Sequence, residues 1–487
     1  MKIKENLKLL LVASEMLPYA KTGGLADVAG SLPKALNKLG NIDVCTVIPK
    51  YGTIDDARYG LKEMPEAIRF VMGGKAYEAK IKYAESDEGW KAYFIDNEEY
   101  FARDGLYGYR DEAQRFAFFA RAVLEMTKAL DFKPDVIHCN DWHTGLVPTY
   151  LKTLYSSDPF FEDLATVFTI HNLGYQGVFS KDILPTLDIG WEEFTPEKLE
   201  FWDRISFIKG GLAYSDVIST VSKGYSEEIQ TPEYGESLDG LLTQRREVLY
   251  GIANGLDYEV WSPATDQAIA RNYDASNIED KAESKLALQI ENNLSKNPKT
   301  PLIGVVSRLS YQKGLDMIAD ALQDMISLGT QFVLLGTGDE SYHQLFQKLA
   351  LDFPDSVGVN LTFSDSMARR IYAGSDMFLM PSRYEPCGLG QLISMHYGTI
   401  PIVRRTGGLA DTVQEYDPDT GSGTGFCFEE ESSAALMSAI RKALGIYSDE
   451  DSWRTLILNA MKADFSWTHS AEEYMNLYRE AMRIHRG

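Results

Sequence analysis

Leu7 to Ala13 is an apolar run interrupted only by Lys8 and continuous from Leu9, followed by a loop that carries a Gly-Gly pair, the pattern of a doubly buried strand leading into a tight turn. From Leu25 the period changes. Leu25, Val28, Ala29, Leu32, Leu36 and Leu39 recur at helical spacing, and Gly40 stands where a helix closes. Ile42–Ile48 predicts the next strand, and residues 70–95 read as a meander-like insertion. A long helix follows, with Phe116, Phe119, Ala120, Val123, Leu124 and Leu130 on one face. Short β-branched runs predict strands at Asp135–Cys139, Thr166–Ile170 and Val217–Val221. Strands that alternate with helices in this way predict a parallel sheet covered on both faces.

The alternation restarts after the polar stretch 254–266, where Asn254-Gly255 and Ser262-Pro263 mark turns. Leu302–Val306, Phe332–Leu335, Met377–Met380 and Ile400–Val403 are the strands of this second half. The expectation is α/β: two doubly wound, Rossmann-like domains, 1–255 and 256–465, hinged near residue 260 with a cleft between them. Residues 466–487 predict an amphipathic helix, with Ser470 and Glu473 as a capping box and Tyr474, Leu477, Tyr478 and Met482 as its stripe. Its pattern does not select a domain; packing back on the N-terminal one is the expectation carried forward.

Composition narrows the function classes. The net charge of −23 opposes binding to a polyanion and leaves a neutral substrate open. Cys45, Cys139, Cys387 and Cys427 are far apart with no metal-ligand spacing, as expected for reduced, buried thiols in a cytoplasmic protein. Lys2, Lys4 and Lys8 precede the first apolar run, but that run is too short for a secretory signal. No stretch of the sequence is long and apolar enough to predict a membrane span.

One string occurs twice. Thr22-Gly23-Gly24-Leu25-Ala26-Asp27 returns unchanged as Thr406-Gly407-Gly408-Leu409-Ala410-Asp411, each copy after a cation, Lys21 or Arg405. Each follows a strand and opens a helix. One copy is an ordinary tight turn; two predict paired helix N-termini offering N–H groups to anionic oxygen. Ligands of doubly wound sheets bind beyond the carboxyl ends of the strands. Those positions hold Lys21, Asn140-Asp141-Trp142-His143, His171-Asn172, Ser307-Arg308, Lys313-Gly314 and Ser382–Leu389. Cations and glycine loops in both halves suit a diphosphate leaving group.

Lys-Thr-Gly-Gly-Leu-Ala-Asp (21–27) and Ser-Arg-Tyr-Glu-Pro-Cys-Gly-Leu (382–389) resemble the two signatures of bacterial glycogen and plastid starch synthases. The motifs at 140–143, 169–177, 251–257, 307–314 and 404–413 fit the same family in the same order. The resemblance implies a retaining glycosyltransferase of the GT-B fold, moving glucose from ADP-glucose, or UDP-glucose, to the 4-hydroxyl end of an α-1,4-glucan. It implies no metal and no other cofactor; no nucleic acid or membrane partner is expected, and oligomeric state is not legible.

By that resemblance Lys21 with Gly23 and Gly24 approaches the donor diphosphate, while Arg308 and Lys313 grip it in place of a metal. Glu385 positions the transferring glucose and His171 lies beside it. Asp27, Asp141, Asn172 and Asn254 line the donor and acceptor. Tyr384, Cys387, Gly388 and Leu389 belong to the substrate-side loop, and Thr406, Gly407 and Gly408 supply backbone donors. Phe363 stands near the nucleobase where some relatives have Tyr. Many retaining GT-B enzymes carry a second Glu eight residues after the first; Ile393 stands there, a loss glycogen synthases commonly share.

Other motifs favour plainer readings. His138 and His143 flank Asp141 without the spacing of a helical metal site. Asp417-Pro418-Asp419 lies in a polar turn, and Gly336-Thr337-Gly338 lacks the third glycine of a dinucleotide fingerprint, which disfavours an oxidoreductase. A non-catalytic glucan-binding homologue should have lost one of Lys21, Arg308, Lys313 or Glu385, and all four are present.

Overall fold

A computed structural model describes residues 6–86 and 89–487; Lys2 and Lys4 lie outside the described residues. The chain forms two compact units, Met1–Gly255 with Trp467–Gly487, and Leu256–Ser466.

In the first unit the strands are β1 (Leu7–Val12), β2 (Ile42–Pro49), β3 (Lys62–Glu63), β4 (Ile68–Met72), β5 (Lys75–Glu85), β6 (Lys91–Asp96), β7 (Val136–Asn140) and β8 (Ala165–Ile170). After these come β9 (Val178–Ser180), β10 (Glu200–Phe201), β11 (Arg204–Ser206), β12 (Val217–Thr220) and β13 (Leu249–Gly251). The main sheet runs β13-β12-β8-β7-β1-β2-β6-β5-β3. From β13 to β6 every pairing is parallel. The insertion read at 70–95 is the β4–β5 hairpin and β6, with β5 antiparallel to β3, β4 and β6 alike. Leu9, Leu10, Leu11 and Val12 have at most 1% exposure, which accounts for a run with no polar face.

Helix α1 (Gly24–Lys38) follows β1 and ends with Gly40 at φ +80°, the left-handed position a helix-closing glycine occupies. Helix α2 (Glu112–Ala129) buries Phe116, Phe118, Phe119 and Leu124. The C-terminal helix, Trp467–His485, packs on α1 and β8. It starts before Ser470. That residue is no cap: it is buried within the helix, and its Oγ donates to Ala253 O at 2.7 Å.

The second unit carries β14 (Leu302–Val306), β15 (Gln331–Leu335), β16 (Val357–Asn360), β17 (Met377–Met380), β18 (Ile400–Arg404) and β19 (Phe426–Phe428). They pair in parallel in the order β16-β15-β14-β17-β18-β19. Renumbered within the sheet this is 3-2-1-4-5-6, the doubly wound order. Helices α3 (Leu315–Ser327), α4 (Gly390–His396) and α5 (Gly407–Thr412) follow β14, β17 and β18. Among the described residues no helix is long and apolar enough to cross a membrane. The four cysteines are free and buried.

Candidate active site

Strand order reverses between β1 and β7 in the first unit and between β14 and β17 in the second. A crevice opens at such a switch point because the connections leave in opposite directions. The loops beyond these four strands carry most of the residues singled out from sequence.

In the second unit, Val306 ends β14 and the chain passes through Ser307 and exposed Arg308 into a 3-10 turn, Tyr311–Lys313. Gly314 then adopts φ +64°; a Cβ there would lie 2.1 Å from Pro381 O, so only glycine lets the turn sit against the loop after β17. This close approach brings Lys313 Nζ within 2.6 Å of Glu385 Oε2. Glu385 is 6% exposed, and the same oxygen accepts from Ser382 Oγ at 2.9 Å.

Arg383 ties the two loops together. Its guanidinium donates to both carboxylate oxygens of Asp316 at 2.8 and 2.7 Å and to Tyr311 O at 2.8 Å, and it stacks over the Tyr311 ring. The Asp316 bond, ahead of desolvation, holds Arg383 above its ordinary range. Gln312 Nε2 donates to Tyr384 O at 3.1 Å.

The remainder of this loop rests on α4 and α5. Gly408 N donates to Glu385 O at 3.0 Å, and a Cβ on Gly408 would meet Cys387 O at 2.2 Å. Gly388 takes φ +75°, and Leu389 caps α4. Buried Gln391 donates to Cys387 O, Gly388 O and Thr412 Oγ1, pinning the loop from below. Thr406 caps α5, with Gly407 at φ +43°. Ile393 is buried in α4. Phe363 lies apart from this cluster, past the end of β16 and 75% exposed. Gly336 and Gly338 are structural: a Cβ at either would meet Ser307 O or Leu309 O at about 2.1–2.2 Å.

In the first unit, the loop after β1 contains an anion of its own. Buried Glu15 accepts from Thr22 N (2.5 Å), Thr22 Oγ1 (2.5 Å) and Gly23 N (3.1 Å) at the start of α1, and from Tyr107 OH at 2.8 Å. A carboxylate belongs at a helix N-terminus. Lys21 Nζ pairs with Asp27 Oδ1 at 2.9 Å, and a Cβ at Gly23 would meet nothing within 4 Å. The signal for Glu15 was a charged residue closing an apolar strand shortly before Thr-Gly-Gly.

Beyond β7, Asp141 takes φ +56°, and its Oδ1 accepts from His171 N at 2.7 Å. Desolvation, aided by Glu15 and opposed by the His171 and Asn172 amides, pushes its carboxyl up to about 7. His171 Nε2 donates to Asn140 Oδ1 at 2.9 Å, and Asn140 is in turn held by Val12 O. Burial pushes the His171 imidazole down to about 3, so it is neutral at neutral pH, with the proton on Nε2 facing Asn140. Asn172 Oδ1 accepts from Gly174 N. Asn254 lies past β13, buried, and its Oδ1 accepts no hydrogen bond among the described residues.

The histidines around Asp141 have other partners. His138 bonds Tyr478 OH and Thr169 Oγ1, and His143 stacks on Trp142 at 3.9 Å. Among the described residues no group of three His, Cys, Asp or Glu is placed to hold a metal ion. Asp417 accepts from Asp419 N and Thr420 Oγ1, closing its own turn.

Residues 8–244 match the family described as Starch synthase catalytic domain, and residues 288–457 match Glycosyl transferases group 1. The chain is 51% identical to a glycogen synthase of Desulforudis audaxviator over 98% of its own length and 97% of that protein. It is 48% identical to one from Thermotoga maritima, covering 98% and 99%. Among solved structures, the catalytic domain of Starch Synthase IV from Arabidopsis thaliana, bound to ADP and acarbose, superimposes with a TM-score of 0.92 at 35% identity, covering 98% of this chain and all of that one. Sucrose-phosphate synthase from Thermosynechococcus elongatus shares the fold alone, with a TM-score of 0.60 at 18% identity over 98% of this chain and all of that one. The fold and its loops are those of a GT-B glycosyltransferase. Within that class the chain belongs to the glycogen synthase family.

Proposed function

We propose that the chain transfers glucose from ADP-glucose to the non-reducing 4-hydroxyl end of an α-1,4-glucan, with retention of configuration. The observation that carries this reading is the cluster of half-buried Lys313 with buried Glu385 and Ser382 at the switch point of the second unit. A carboxylate held there by a cation and a hydroxyl is a preorganised acceptor for sugar hydroxyls, and it leaves the rest of the ammonium to face phosphate oxygen.

In this reading the second unit holds the donor. Arg308 and Lys313 balance the charge that grows on the diphosphate as its bond to the anomeric carbon breaks. Thr406, Gly407 and Gly408 form a wall behind the Glu385 loop and not the set of backbone donors expected from sequence, because Gly408 N is given to Glu385 O and Thr406 N to Arg404 O, and Phe363 offers a ring to the base. Lys21 supplies a further cation from the first unit. The glucan 4-hydroxyl attacks the anomeric carbon on the face the diphosphate leaves, forming the new C1–O4 bond, and its proton passes to the departing phosphate oxygen. His171, neutral and fixed by Asn140, serves as a hydrogen-bonding wall beside the glucose, as do Asp141, Asn172 and Asn254. Positioning and fixed charge supply the rate enhancement.

The test supplies the purified protein with glycogen and labelled ADP-glucose or UDP-glucose, each with chelator. Incorporation from ADP-glucose that survives chelation is expected. Preference for UDP-glucose would overturn the donor assignment, and abolition by chelator would overturn metal independence.

A further inference from the structure

The first unit contains a groove of about 630 Å³ that none of the site residues above explains. Trp142 and Phe179 form its floor, Tyr175 and Trp202 rise at its rim, and Glu112 and Glu236 lie at its edges. Tyr175 is 50% and Trp202 75% exposed, a large apolar surface to leave in water.

The rim is built with backbone strain. Phe201 pairs with Arg204 across the β10–β11 hairpin, so Trp202 and Asp203 form its two-residue turn, at φ +52° and +59°. Asn-Gly is the usual choice for such a turn, because a bulky residue with positive φ is disfavoured. An indole at this tip serves neither the turn nor the core. Opposite it, Glu236 and Ser237 also take positive φ, and Gln176 Nε2 fixes that loop through Glu236 O at 2.9 Å. The floor is equally specific: Gly177 lies flat on Trp142, where a Cβ would come within 2.3 Å of the ring.

We propose that this groove binds a stretch of the acceptor α-glucan remote from the end that receives glucose; the proposal rests on the synthase reading above. Aromatic faces accept the C–H faces of pyranose rings, while carboxylates and an amide take up hydroxyls around them. Among the described residues no Lys or Arg lines the groove, so its lining does not favour a nucleotide or phosphate. It is also continuous with the site. Trp142 follows Asp141, and the loop that presents His171 and Asn172 runs on, with Asn172 bonded to Gly174 and Tyr175, to form the groove wall.

Trp202→Asn separates binding from folding, since asparagine suits the turn better than tryptophan. The full chain is assayed with ADP-glucose on glycogen and on maltotriose, and by affinity electrophoresis through glycogen without donor. Trp202→Asn and Tyr175→Ala should each raise KM for glycogen about tenfold and lose retardation in the gel. The KM for ADP-glucose and turnover on maltotriose should stay at wild-type values, and Trp202→Phe should restore part of the retardation. Wild-type KM and mobility in both variants would overturn the groove. A wild-type protein inert on both primers would instead overturn the synthase reading and, with it, the acceptor role.

Discussion

Lys313 and Glu385 are 72 residues apart, and each is ordinary in isolation: a lysine ending a turn and a glutamate in a loop. Their meaning comes from burial. Removing half-buried Lys313 leaves the buried Glu385 carboxylate without its counter-charge. Lys313→Ala should therefore lower kcat by roughly 100- to 1,000-fold through loss of a transition-state partner, and circular dichroism should still report a folded chain. Near-normal turnover would remove Lys313 from the chemistry. Asp141 offers a titration instead. Its folded value, about 7, lies above the ordinary 3.8, so the folded protein keeps the extra proton between them. Stability linked to the neutral form is fully present below the ordinary value and is lost as pH rises toward 7. Asp141→Asn, which cannot ionise, should thus gain on wild type between about pH 4 and 7, by an amount on the order of 1–4 kcal/mol, and level off above. Denaturant midpoints measured across that range check it; a pH-independent difference would show that Asp141 does not titrate there.

Elements differed in how legible they were, and the reason is length and burial. Leu302–Val306 and Met377–Met380 were read end for end because strands covered on both faces are continuous apolar runs. Leu249–Gly251 and Phe426–Phe428 were missed, since three residues carry no period. The capping-box reading of Ser470 failed for a tertiary reason: Trp467 packs so closely on Gly255 that a Cβ there would lie 2.6 Å from its Cα, and the helix begins at that contact. The site was legible as loops at strand ends. Arg383 was read as part of the 382–389 signature, but its bracing role, and Gln391 altogether, were not legible, because their partners Asp316 and Thr412 are distant in sequence. Two glycines test the bracing. Gly329 has φ +81° with nothing within 4 Å of a Cβ, whereas Gly314 has φ +64° and Pro381 O at 2.1 Å. Gly329→Ala should cost about 1 kcal/mol of stability and no activity. Gly314→Ala must also move the turn that carries Lys313, so thermal melts and assays should show more than about 2 kcal/mol lost and turnover down at least tenfold.

At the scale of the whole chain, the C-terminal helix returns to the first unit after the second is complete, and its tether should be sensitive to pH. Tyr478 meets buried His138, and Ser470 meets Ala253. At the far end His485 Nδ1 lies 3.1 Å from Asp216 Oδ2 while Nε2 donates to Glu162 O at 3.0 Å. The Asp216 bond raises His485 above its ordinary 6.5, against desolvation. A raised imidazole stabilises the fold fully below the ordinary value and loses that contribution as pH rises through the raised one. His485→Gln should therefore lower stability by about 0.5–1.5 kcal/mol at pH 6 and by less at pH 9. The loss stays modest because Asp216 keeps Thr166 and Lys152 as partners, and both of its bonds to Thr166 are 2.8 Å. Thermal unfolding of both proteins at the two pH values reads the difference. If the gap were equal at pH 6 and pH 9, the His485–Asp216 pair would be a packing contact without a charge, and the helix would be held by its apolar stripe and the uncharged bonds of Tyr478 and Ser470.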